Sequence, residues 1–290
     1  MPPCFPLTLA CYAVACTLCF IAVAQPLVRP LRWLAMAVLV AGLFCQGADI
    51  AWLCQRGQHP GSSAREALYF VSFLLLLLLP LRMFRQPVPV LGTLLLPLSL
   101  VIAVLVRVLP AGHTASGASL SLGIGSPRLA LLHIVSATLG IALFGIAAAA
   151  STAYMLSERR LKQQRLPRVS GAGPGQSLRG LDAWSQQGIV FGLLAFSAAL
   201  VSGTFLLLQT PSPSGASAEP SLAQQLRYLL TQPRYSLAVV TWLLFASLLV
   251  GRTTLGLRGR WAAQLTLTGF WTSLGVLVVY VFRNVAGGSP

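Results

Sequence analysis

The residues of this chain that can do chemistry are few, and three histidines lead them: His59, His113 and His133. An imidazole nitrogen can coordinate a metal, and haem iron is commonly held by histidine. His133 is followed by Ser136, Ala137 and Gly140 at i+3, i+4 and i+7, which makes a small-residue groove on one helical face. Such a groove admits a flat ligand or a neighbouring helix. A histidine hydrogen-bonded at a membrane interface has the same spacing, so both readings of His133 stay open at this level. His59 and His113 read as surface histidines in connecting segments. Arg234, beside Tyr235, can pair with a propionate, because a guanidinium matches carboxylate geometry. Snorkelling at the headgroup level accounts for it equally well.

The other reactive side chains exclude more than they suggest. The only acids are Asp49, Glu66, Glu158, Asp182 and Glu219, all expected at or near helix ends or in connections. A proton-coupled transport mechanism therefore has no evident carboxylate relay. The glycine-rich stretch 171–175 lacks the Gly-Lys-Ser/Thr ending of a phosphate-binding loop. Cys16-Thr17-Leu18-Cys19 spells C-x-x-C, which in a soluble loop would suggest redox chemistry or metal binding. Within an apolar helix a thiolate is strongly disfavoured, so these cysteines read as small helix residues. Phe20 rather than His follows Cys19, so the motif is not a c-type haem attachment site. Nothing here points to stand-alone enzymatic activity.

The elements that must position these residues are about eight apolar runs: 7–24, 34–54, 67–83, 88–109, 129–157, 187–208, 237–250 and 263–282. Roughly 20 mostly apolar residues cross a hydrocarbon core of about 30 Å. The runs are continuous rather than alternating, which selects helices over a barrel. Hydrophobic residues make up 56% of the chain and charged residues 9%. The expected fold class is all-α: a polytopic membrane bundle of about eight transmembrane helices in a single membrane domain, 1–290.

The formal net charge of +15 is better explained by the positive-inside rule than by nucleic acid, since no basic face is interleaved with exposed aromatics. One alternate set of connections carries 13 of the Lys and Arg residues, among them Arg29, Arg32, Arg82, Arg85, Arg252, Arg258 and Arg260. The opposite set carries the remaining 7. The richer side is expected to be cytoplasmic, with both termini and all three histidines on the outer side. The first run lacks a positive n-region and reads as a retained helix rather than a signal peptide. The connection 158–182 is the longest basic cytoplasmic loop; its first part extends the fifth helix, and its glycine-rich part reads as linker. In the outer connection before the seventh helix, Leu222, Leu226, Leu229 and Leu230 share one helical face, which suggests a short helix on the membrane surface.

Several segments together resemble the cytochrome c assembly (CcsA/HemX/YpjD-like) family. They are Leu132-His133-Ile134, Ser157-Glu158-Arg159-Arg160-Leu161, the run beginning Gly188-Ile189-Val190-Phe191-Gly192, and Ser202-Gly203. The strongest piece is Trp242-Leu243-Leu244-Phe245-Ala246, then Gly251-Arg252 and Gly256-Leu257-Arg258-Gly259-Arg260, closing with Thr268-Gly269-Phe270. The resemblance covers 67–283. It implies a multi-pass protein of the bacterial inner (plasma) membrane that handles haem at its outer face together with other cytochrome c maturation proteins. In haem-handling members, two outer-side histidines flank a Trp-rich, Asp-containing segment. His133 matches the first histidine and is the implied axial ligand. At the second position this chain has Gln232-Pro233-Arg234, and Asp182-Ala183-Trp184 lies on the other side of the membrane. Two rival readings are a permease-like component for a small solute and a regulatory scaffold in haem synthesis.

Overall fold

The computed structural model describes residues 3–24, 29–56, 64–83, 89–108, 127–162, 178–208, 233–257 and 259–286. Among them all regular structure is helical: α1 (Phe5–Ala24), α2 (Arg29–Gln55), α3 (Ala64–Met83), α4 (Pro89–Val108), α5 (Pro127–Lys162), α6 (Leu178–Leu208), α7 (Pro233–Thr254) and α8 (Arg260–Ala286). Five helices are long and apolar enough to cross a membrane: Phe5–Val23, Pro30–Gln55, Leu129–Arg159, Gly180–Leu206 and Tyr235–Thr254. The protein is a multi-pass membrane protein. The expected count of eight is thus met in helices, and in five of them by span length and apolarity. The outside of the bundle is apolar too: Phe44, Trp33, Leu194 and Trp271 are all exposed. Water would not tolerate that much contiguous apolar surface, and lipid tails do.

Helix α5 is the axis of the molecule and packs against α3, α4, α6 and α8. One core cluster joins α1–α4 to one side of α5 through residues such as Tyr12, Leu39, Leu75, Leu96 and Ala149. A second joins α5–α8 through Phe144, Ile189, Phe245 and Phe270. At its centre the Phe144 and Phe245 rings stack with centroids 3.7 Å apart. Gly269 backs Phe245, since a Cβ there would fall 2.9 Å from the ring.

The N-terminal hairpin is fastened by polar groups buried in the bundle. The Tyr12 hydroxyl donates to Gln46 Oε1, and Gln46 Nε2 donates to the Tyr69 carbonyl at 3.0 Å and to Ser72 Oγ at 2.8 Å. Asp49 accepts the Cys4 backbone N–H at 2.9 Å and the Tyr69 hydroxyl at 3.2 Å. Asp49 lies near the C-terminal end of α2, which closes at Gln55, yet it is fully buried. The network explains why burial is tolerated: in lipid each of these groups would cost several kcal/mol unpaired, roughly, and here each has a partner.

Candidate functional site

The α5–α6 pair is built from small residues that let two backbones approach. A Cβ on Gly140 would lie 3.1–3.3 Å from Phe196 atoms, two of them backbone; one on Gly188 would lie 3.0 Å from the Leu143 carbonyl oxygen; one on Gly192 would meet the Phe144 ring at 2.7 Å. These contacts settle the groove below His133 at Gly140: a neighbouring helix occupies it, not a flat ligand. They also fix an antiparallel register in which 140 faces 196, 147 faces 188 and 133 faces 203.

That register delivers His133 to α6. Pro127 opens α5, a position where proline's missing N–H costs nothing. The imidazole, half-buried, places Nδ1 2.8 Å from the Ala199 carbonyl oxygen, and Ser202 Oγ lies 3.4 Å from the same nitrogen. Ser202 Oγ donates to the Ala198 carbonyl at 2.7 Å and the Ala199 carbonyl at 3.1 Å. The ring rests where Gly203 has no side chain: a Cβ there would come 2.7 Å from Cε1 and 3.0 Å from Nδ1. Ser202-Gly203 is visible in the sequence as a small pair, yet its contact with a residue about seventy positions earlier is not.

At the same end, Tyr235 of α7 and Thr204 of α6 share a hydrogen bond of 3.2 Å. Further along, Trp242 Nε1 donates to Ser197 Oγ at 2.8 Å. Arg234 lies in α7 next to Tyr235, so its backbone is on the histidine side; its side chain is outside what the structure describes. His59, His113 and the leucine face 222–230 fall outside the described residues as well. Of the two residues predicted to meet haem, the structure places His133 in full and Arg234 by its helix alone.

The opposite end holds a site that charge counting missed. Arg252 reads as one more cytoplasmic cation, but its side chain is 3% exposed. It donates from Nη1 to Asp182 Oδ1 at 3.1 Å and from Nη2 to Ser185 Oγ at 3.2 Å, and Ser185 pairs with Ser151 at 2.9 Å. Three helices, α5, α6 and α7, are thus joined by one buried ion pair and its hydroxyls. The turn after α7 aims the arginine inward. Leu257 N–H bonds back to the Gly251 carbonyl at 3.1 Å, Gly256 adopts φ +65°, and Leu257 covers Gly251 so closely that a Cβ there would meet it at 2.5 Å. This is a glycine-terminated helix end that only a left-handed residue completes. Gly259, at φ +76°, then starts α8. The only trace in the sequence was an arginine in the last turn of an apolar helix, expected on the same side of the membrane as Asp182.

Among the described residues no group of three or more metal-ligating side chains comes together. A metal at His133 would need its remaining ligands from a macrocycle or from other segments. The donor present fits that need, since one ring nitrogen is committed to a carbonyl and the other is chemically an electron-pair donor.

The family model described as Cytochrome C assembly protein matches residues 62–286, and the chain belongs to that family. The match spans α3 to α8 and leaves α1 and α2 outside. No curated protein and no solved structure matches the chain.

Proposed function

We propose that this cytochrome c assembly family membrane protein handles haem at the end of the bundle that carries His133, with His133 as an axial ligand. The observation that carries the reading is the ring's anchoring: Nδ1 on the Ala199 carbonyl at 2.8 Å, in a pocket floored by Gly203. Metal-ligating histidines characteristically donate their second ring N–H to a backbone carbonyl or carboxylate, which fixes the ring and raises its basicity. When bound, the haem iron would supply an open coordination position for imidazole. The chain's own residues hold the imidazole by its Nδ1 contact to the Ala199 carbonyl. Arg234, at the start of α7 on the same side, is the partner we assign to a propionate.

The protein then sits in the bacterial inner membrane with eight spans, both termini and His133 outside, and the basic segment 158–182 in the cytoplasm. It acts with cytochrome c maturation partners rather than as a stand-alone enzyme. The test is purification in detergent after haem-replete expression, with absorption spectra of wild type and His133→Ala. A Soret band that His133→Ala abolishes supports the reading. A wild-type protein without the band, or a band indifferent to His133, overturns it. Arg234→Ala is expected to weaken haem binding by about tenfold, the loss of one charge-assisted contact of roughly 1.5 kcal/mol.

A further inference from the structure

We propose that the outward face of α8 is the surface through which two copies of this chain associate in the membrane, with Gln264, Trp271 and Gly275 at its centre. The inference stands apart from the haem reading. Trp261, Gln264, Thr268, Trp271 and Val278 are all exposed, and Gly275 opens on space, since an added Cβ meets nothing. These positions step by three and four along the helix, the spacing of a coiled-coil seam. What sets this face apart is its chemistry. At the same depth α6 exposes Phe191, Leu194, Val201 and Phe205, and α7 exposes Val240, Leu243 and Val250. Exposed Ser247 of α7 donates to its own helix, at the Leu244 carbonyl. On α8, by contrast, the Gln264 side-chain amide and the Trp271 indole N–H have no hydrogen-bond partner among the described residues.

Depth makes those groups matter. The apolar span of α7 is Tyr235–Thr254, and Phe245, near its middle, packs on Gly269 of α8, where an added Cβ would lie 2.9 Å from the ring. Thr241 and Thr272 hydrogen-bond at 3.3 Å in the same register. Counting about 1.5 Å per residue from Gly269, Trp271 sits about 3 Å and Gln264 about 7.5 Å from mid-span. Both fall inside a hydrocarbon half-layer of about 15 Å. A tryptophan facing lipid belongs at the headgroup level, where Trp261 lies, rather than near the centre. Lipid tails offer neither donor nor acceptor, so these groups call for a protein one. A second copy supplies it. Two molecules inserted with one topology are related by a twofold axis along the membrane normal, so their α8 helices run parallel and each seam residue meets its own equivalent. A primary amide carries both a donor and an acceptor, so two Gln264 side chains can exchange N–H···O bonds. A polar pair at one seam position also fixes the register of the two helices. Gly275, one turn beyond Trp271, lets the backbones approach.

The test is energy transfer between two fluorescently labelled populations of the full-length protein in phospholipid vesicles, followed as the protein is diluted with lipid. The wild type should transfer, and Gln264→Leu should weaken association roughly 3–30-fold, the range of one interhelical hydrogen bond in lipid. Gly275→Leu should abolish it by holding the backbones apart. Gln264→Asn, which keeps the amide, should retain most of it. Phe44→Leu, on the exposed face of α2, should leave transfer unchanged. All these substitutions face outward, so the unfolding temperature of each variant as a monomer in strong detergent should match the wild type, which separates a lost contact from a lost fold. A wild type that shows no transfer at any dilution overturns the inference. So does a dimer indifferent to both Gln264→Leu and Gly275→Leu, or one that Phe44→Leu disrupts equally. A photoreactive group at position 271 that cross-links a different membrane protein, and never a second copy, overturns it too.

Discussion

The two ends of the α5–α8 half solve opposite problems with similar parts. At one end Arg252 is sequestered with Asp182 and two serines, and its charge is spent on joining helices. At the other end His133 is half-buried, in contact with the Ala199 carbonyl and Ser202, and its ring rests against Gly203. A buried guanidinium cannot shed its proton, so it must keep a partner and can do little else. An imidazole, by contrast, can donate, accept or coordinate through either ring nitrogen, according to where its proton sits. The contrast teaches where stability and function separate in this bundle: the arginine end should govern whether the helices stay together, and the histidine end what they bind.

The sharpest way to break that contrast is to orphan the charge. Asp182→Ala leaves Arg252 buried without a counterion, and the expected loss is about 3–5 kcal/mol, seen as a lowered unfolding temperature in mild detergent. The paired change Asp182→Leu with Arg252→Met should recover most of that loss, because buried ion pairs are often replaceable by apolar residues of similar volume. If the single variant melts like the wild type, the arginine end is not the fastening proposed here.

Next in size is the seam between the ends. Gly192→Ala forces a methyl into the Phe144 ring and should cost roughly 1–3 kcal/mol by overpacking, with the haem spectrum intact in the protein that still folds. Gly256→Ala places a Cβ in a left-handed conformation, a penalty of about 1–2 kcal/mol that should register at the arginine end alone. The smallest stability effect is expected at His133. His133→Ala removes one hydrogen bond, about 1 kcal/mol or less, while eliminating the Soret band. A His133→Ala protein destabilised as severely as Asp182→Ala would make the histidine a structural strut and erase the contrast.

The helix pair α1–α2 sharpens the picture from outside the family region. Gln46 and Asp49 lie beyond the matched residues, yet they bond to Tyr69 and Ser72 within them. The two helices outside the matched region are thus fastened to it with hydrogen bonds as well as by shape. Apolar faces give no preference among lipids and helices, whereas a buried amide has few places to go.

The amino-acid sequence by itself determined the bilayer as solvent, the all-helical class, the family, and the histidine to watch. Each of these follows from local quantities: apolar run length, continuity against alternation, and short motifs in order. Tertiary structure alone decided the rest. Arg252 looked like a topology cation because pairing with a residue 70 positions away leaves no local trace. Asp49 read as an acid near a helix end, and its burial against Cys4 and Tyr69 came only from the packing of α1 and α3 on α2. The groove at Gly140 could have taken a ligand or a helix, and only the approach of Phe196 chose. The proton on His133 was undefined until α6 set a carbonyl beside it. Periodicity states which residues share a face; it does not state which face arrives opposite, and the chemistry of a buried polar group is fixed by what arrives.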